Sequence, residues 1–204
     1  MLRLCLPPRG LLSPNNAVDP LRYYYHPLVG GLFRHRLQVG LDLLPDRCQR
    51  LLEVGYGSGL LLPTLAQGAD ELYGVDREPP PPALRERLAT LGCVPAELRV
   101  ADVTAMPFPD HHFDAVVAFS IFEHLHAAEL DRAAAELLRV LRPQGLLLVG
   151  CPAVHPLMSA AFAAIGFRGI DDHHVSSITD VLRVFERRFR CTRSATLPPL
   201  PRAL

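Results

Sequence analysis

Five short apolar runs recur along the middle of the chain, and between them lie longer stretches whose apolar residues return every three or four positions. The runs are RLLEVG, ELYGVD, ELRVAD, FDAVVAFS and GLLLVGCP; the longer stretches are GLLLPTLAQ, PALRERLATLG and AAELDRAAAELLRVLRP, with a weak turn near AMPFPD. An unbroken apolar run bounded by turn residues suits a buried strand, and a 3.6-residue period suits a helix. Strict alternation of the two predicts an α/β domain with a parallel sheet covered on both faces. The 204 residues suffice for one such domain, and no linker is long enough to divide two.

Upstream, DPLRYYYHPLVGGLFRHRLQVGLDLLP carries Leu, Val and Phe at mixed spacings, interrupted by Pro27 and by Gly30-Gly31, so two helical pieces are expected. Gly145, two residues past Pro143, marks the turn from the last central helix into the strand that follows. HHVSSITDVLRVFERRF reads as a further helix, with Ser176 or Ser177 as N-cap and Asp180 in its first turn. RCTRSATLP is expected to form a closing strand, and LPPLPRAL a short extended tail.

Composition removes several function classes. The 21 basic and 21 acidic residues balance, so net charge draws the chain to neither nucleic acid nor an anionic membrane. Every basic residue is Arg and none is Lys, which removes Schiff-base and Lys-base chemistry. Cys5, Cys48, Cys93, Cys151 and Cys191 lack the spacing of a zinc site, and a reducing, cytoplasmic setting fits them best. Arg3, Pro7, Pro8 and Arg9 break the apolar core that a signal peptide needs, and no run reaches the ~18 apolar residues that span a bilayer. A soluble protein is expected.

The stretch LLEVGYGSGLLLPTLA carries the chemistry. Gly55 closes the first strand, and Gly57 and Gly59 follow at alternate positions before a helix that begins near Leu60. Such a turn lets main-chain N–H groups and a helix N-terminus face a ligand with no Cβ in the way. Asp76 ends the second strand just over twenty residues on, where a carboxylate can accept from both ribose hydroxyls. Asp102 ends the third, near where an adenine ring would lie; a lone Asp at a strand end also serves as a turn-former.

From Leu51 to Pro152 the chain resembles the class I S-adenosylmethionine-dependent methyltransferases, in particular the small-molecule, methyltransferase type 11-like group. The motifs are EVGYGSG, GVD, ADVTAMPFPDHHFDAVVAFSIFEHL and ELLRVLRPQGLLLVGCP. The resemblance implies a doubly wound Rossmann-like sheet of order 3-2-1-4-5 with C-terminal strand(s) added, and S-adenosyl-L-methionine as cofactor. It assigns the methionine part to Gly55, Gly57 and Gly59 with Glu53 orienting the turn, the ribose to Asp76 beside Arg77, and the adenine to Asp102 and Val103. Phe119, with Ser120, is placed against the cofactor. Tyr56 stands where a small residue is usual, its ring filling the pocket edge or facing solvent.

One domain is implied throughout: a helical N-terminal lid over 1–48, a cofactor-binding core over 49–152, an acceptor cap over 153–176, and a C-terminal helix and strand over 177–204. The partner expected is a small-molecule methyl acceptor, with no nucleic acid and no metal. His124, just after the fourth strand, is either a general base near the transferred methyl or a His that bonds a loop. Glu123 and His126 are read as helix-surface residues. Within RYYYH, Tyr24 is the candidate to orient an acceptor, and core packing accounts for at least one of the three tyrosines. Asp171, Asp172, His173 and His174, with His111 and His112, have no recognised ligand spacing. The uncharged stretch from Leu157 to Phe167 suggests an apolar cap for an aromatic or lipid-like acceptor.

Two rival functions remain: an NAD(P)-dependent oxidoreductase, and a methyltransferase-like binding protein without turnover. The dinucleotide fingerprint G-x-G-x-x-G requires glycine at position 60, where this chain has Leu60, and it has no use for Asp102.

Overall fold

The computed structural model describes residues 1–152 and 175–197. Five strands, β1 (Cys48–Val54), β2 (Ala69–Asp76), β3 (Glu97–Val100), β4 (Phe113–Phe119) and β5 (Leu141–Gly150), form one parallel sheet of order β3-β2-β1-β4-β5. All five match the apolar runs in the sequence. Helices α1 (Leu21–Tyr24), α2 (Gly30–Leu41), α3 (Leu62–Leu65), α4 (Leu84–Ala89), α5 (Ala127–Val140) and α6 (Ile178–Phe185) complete the described elements, with 3-10 turns at Ala66–Gly68 and Phe122–His124.

Alternate residues of the central strands feed two cores. Leu51, Leu72, Ala115, Val117 and Leu148 face α2, α3 and α4. Leu52, Val54, Val75, Val116 and Ala118 face α5 and α6. This is why the strands read as near-continuous apolar runs rather than as a polar-apolar alternation. Full burial of one leucine such as Leu52 contributes about 1.5–3 kcal/mol. On the second face α5 buries Leu130, Ala133, Ala134, Leu137 and Val140, and Arg188 grips Asp131 with two bonds of 2.8 and 3.1 Å to tie α6 against it.

The ends of the chain differ from expectation in instructive ways. Gly30-Gly31 opens α2 instead of interrupting a helix, and Pro27 alone separates the two pieces. The N-terminal segment, expected as a lid, buries Leu2, Leu12, Leu21, Leu37 and Leu41 in the first core and laces Leu4 N–H and Leu2 C=O to Gln38 at 2.8 and 2.9 Å. The first half of β5 carries a bulge: pairing jumps from Phe113↔Leu141 to Ala115↔Leu146, with Gln144 at φ 65°. Ser177 is the N-cap of α6 in a reciprocal capping box with Asp180, at 3.2 and 3.1 Å.

The expected closing strand over RCTRSATLP is not formed in residues 190–197, which lack regular structure. Residues 190–196 are exposed and carry two arginines, so they offer little apolar surface to either core. The expected acceptor cap, apart from its last two residues 175 and 176, and the Asp171-to-His174 cluster lie outside the described residues. No helix among the described residues is long and apolar enough to cross a membrane.

Candidate active site at the carboxyl ends of the strands

Strand order reverses between β1 and β4, and a parallel sheet opens a crevice at the carboxyl ends of its strands at such a point. The glycine turn leaves β1 there. Gly55, Gly57 and Gly59 all take left-handed φ, at 75°, 50° and 80°, which a side chain would strain. Gly57 N–H donates to Asp76 Oδ2 at 2.8 Å, and Glu78 N–H to Oδ1 at 2.9 Å, so the acid of β2 holds the turn of β1. A carboxylate has about four lone-pair positions, which leaves acceptor capacity for a pair of ribose hydroxyls. Burial raises the Asp76 pKa, against the pull of those two N–H bonds.

Glu53, the last residue but one of β1, is buried, and its Oε2 has no partner among the described residues. Burial, and after it the charge of Asp76, push its carboxyl up to about 8. A buried acid poised to ionise beside a cation fits the ammonium of an amino-acid ligand. Asp102 is exposed two residues past β3; its Oδ1 takes Thr104 N–H and hydroxyl at 2.8 and 2.6 Å, and the hydroxyl bond chiefly lowers its pKa. It therefore forms its own turn as well as lining the crevice beside buried Val103. Arg77 is largely exposed at the rim and 3.7 Å from Glu78.

On the β4 side the expectations sort differently. Phe119 lines the crevice, yet its ring fills a slot between α2 and β5: a Cβ on Gly40 would lie 2.5 Å from it and one on Gly150 2.1 Å. Ser120 follows with φ 57°, a strained value for a residue with a side chain. Arg36, which the sequence did not single out, reaches from α2 and donates to Ser120 Oγ at 2.5 Å and Gly150 O at 3.1 Å. No carboxylate pairs with it among the described residues.

His124 sits in the 3-10 turn after β4 with its side chain exposed. Its neighbour Glu123, expected on a helix surface, is instead buried, because the chain enters a tight 3-10 turn here and swings that side chain inward. No pattern in FSIFEHLH separates the two arrangements. Tyr24 is buried at the crevice, and burial pushes its phenol up to about 12, so at neutral pH it can donate a hydrogen bond but not take a proton. Tyr25 bonds Pro7 O at 2.7 Å in a packing role.

Tyr56 is among the residues that line the crevice and does not face solvent. It packs on β2 at Gly74, where a Cβ would lie 2.8 Å from its ring. His111 contacts Leu141 O at 3.0 Å and His112 stacks edge-on against Phe113 and Tyr73, so both serve packing.

Comparison with known proteins places this geometry. Residues 52–149 match the family model described as a methyltransferase domain. The demethylmenaquinone methyltransferase of Thermus thermophilus is 36% identical over 119 residues, 57% of this chain and 51% of that protein. A ubiquinone biosynthesis O-methyltransferase of Azorhizobium caulinodans is 29% identical over 143 residues, 70% of this chain and 54% of the relative. The chain thus spans about half the length of these curated relatives. Among solved structures, the N-methyltransferase NodS from Bradyrhizobium japonicum, in complex with S-adenosyl-L-homocysteine, aligns with a TM-score of 0.58 at 19% identity, over 84% of this chain and 80% of that one. That likeness establishes the fold. The matched residues carry the glycine turn and the strand-end acids Asp76 and Asp102, and residues 52–149 form a methyltransferase domain of the class I S-adenosylmethionine-dependent kind.

Proposed function

We propose that the protein transfers the methyl group of S-adenosylmethionine to a small, largely apolar acceptor. The observation that carries this reading is the buried pair Glu53 and Asp76 around a glycine turn of three left-handed residues, with Glu53 Oε2 left without a partner among the described residues. The fit is chemical: Glu53 and the turn would hold the methionine end, Asp76 the ribose, Asp102 and Val103 the adenine. When bound, S-adenosylmethionine supplies a methyl on a sulfonium, whose positive charge is lost on transfer.

The chain's own contribution is positional. Arg36 fixes the strained end of β4 through Ser120 and closes the crevice between α2 and β5. Tyr24 can donate a hydrogen bond from a buried position. Ile121, Leu125, Phe185 and Phe189 line the acceptor side, and apolar walls exclude water that would compete for the methyl. The names of the relatives favour a ring-bearing acceptor of quinol type.

Calorimetric titration with S-adenosylmethionine, S-adenosylhomocysteine and NAD tests the cofactor. Selective binding of the first two is expected. Asp76→Ala should weaken it about tenfold to more than a hundredfold, since hydrogen bonds to a charged group contribute roughly 1.5–3 kcal/mol. Binding of NAD alone would restore the oxidoreductase reading. Binding without formation of S-adenosylhomocysteine over an acceptor panel would favour the non-catalytic one.

A further inference from the structure

Glu123 is 3% exposed, and neither carboxylate oxygen has a hydrogen-bonding partner among the described residues. Of the other carboxylates described, only Glu53, at one oxygen, shares this state, whereas Glu136 takes Met106 N–H at 2.9 Å and Arg139 at 2.8 and 2.9 Å. Nor is Glu123 loosely placed. Fully buried Phe122 anchors its turn, and its main-chain oxygen accepts from Val175 and Ser176 N–H at 2.8 and 3.1 Å, which ties the turn to the approach to α6. An unsatisfied buried charge opposes folding. A fixed carboxylate kept at that cost is a group awaiting a ligand.

The ligand has to arrive from the crevice, which Glu123 lines together with Gly55, Ser120 and Cys151. Ile121, two residues earlier, abuts the glycine turn: a Cβ on Gly55 would lie 2.0 Å from its Cδ1. Glu123 therefore belongs to the turn that packs against the glycine loop, at the methionine end of the crevice. Neighbouring Cys151 is no rival base, because burial and then the charge of Glu123 push its thiol up to about 12. Arg36, which has no carboxylate partner among the described residues, and the sulfonium of the cofactor already supply positive charge to the crevice. A neutral hydroxyl on an apolar ring suits the carboxylate and the walls of Ile121, Leu125 and Phe185.

We infer that Glu123 is the catalytic base of an O-methylation, taking the proton of a phenolic hydroxyl; this rests on the methyl-transfer function proposed above. The acceptor oxygen forms the new O–C bond, the C–S bond breaks with its electron pair on sulfur, and the hydroxyl proton passes to Glu123.

The test compares the intact chain with Glu123→Gln and Glu123→Leu. Without ligand, Glu123→Leu should melt higher by about 2–10 °C, because a buried carboxyl without a hydrogen-bonding partner among the described residues has been replaced by an apolar group; a lower melting temperature would reveal a structural partner and overturn the inference. With S-adenosylmethionine and catechol or hydroquinone as probes, wild type should form the O-methyl ether. Glu123→Gln should lower kcat about 100-fold or more with KM changed only a few-fold, as for loss of a proton acceptor that leaves binding intact. Absence of O-methyl product from wild type that binds S-adenosylhomocysteine, or full activity in Glu123→Gln, would overturn it. Titration of all three forms with S-adenosylhomocysteine separates the outcomes: failure of wild type to bind defeats the methyl-transfer reading itself.

Discussion

Glu53 and Glu123 differ in how far sequence reveals them. Glu53 precedes the glycine turn within a recognisable motif, whereas Glu123 lies in a segment whose helical reading put it on the surface. Their burial gives Glu53 a measurable signature. Its carboxyl is held neutral to about 8 in the fold against an ordinary 4.5, so the folded chain binds more protons than the unfolded one between those values. Stability without cofactor should therefore be greatest below pH 4.5 for this group's part, decline as pH rises, and level off above about pH 8, at up to about 1.4 kcal/mol per unit. The raised Asp76 acts with the same sign. Urea midpoints of wild type and Glu53→Gln across this range check it: the variant should show a flatter profile. Binding of an amino-acid cofactor should also release about one proton at pH 7 as Glu53 ionises beside the ammonium, visible as a buffer-dependent binding enthalpy.

At the scale of elements, strands and long helices were legible because their periodicity reports burial on one or two sheet faces. Short connections and irregularities were not: α3 has four residues, and the bulge within β5 and the 3-10 turn after β4 leave no periodic trace. The docking of α2 on the sheet depends on absent side chains. Gly40→Ala gains up to about 1 kcal/mol of helix propensity, but its Cβ would meet the Phe119 ring at 2.5 Å, and overpacking costs about 1–3 kcal/mol. A net destabilisation is expected, smaller in a Phe119→Leu background, measurable as a double-mutant cycle in denaturant. Ser177→Ala, which removes a reciprocal cap, should cost about 0.5–2 kcal/mol and fray α6 in hydrogen exchange.

For the whole molecule, the first forty-odd residues are half of a core. Leu2, Leu12, Leu21, Leu37, Leu41 and Leu44 seal the face that α5 and α6 leave open. Removing residues 1–41 should abolish cooperative unfolding and expose dye-binding apolar surface, where a detachable cover would leave a folded remainder with an intact melt. The fold class, the order in which strands and helices follow, the glycine turn and the acids Asp76 and Asp102 were all determined by the sequence itself, since each is a local pattern: a period, a residue that tolerates positive φ, a charge at a strand end. Tertiary structure alone decided that Tyr56 packs on Gly74, that Phe119 sits between Gly40 and Gly150, that Arg36 reaches Ser120, and that Glu123 turns inward while His124 faces out. These depend on which surfaces meet across large sequence separations, and burial at such meetings is fixed by packing rather than by any pattern along the chain.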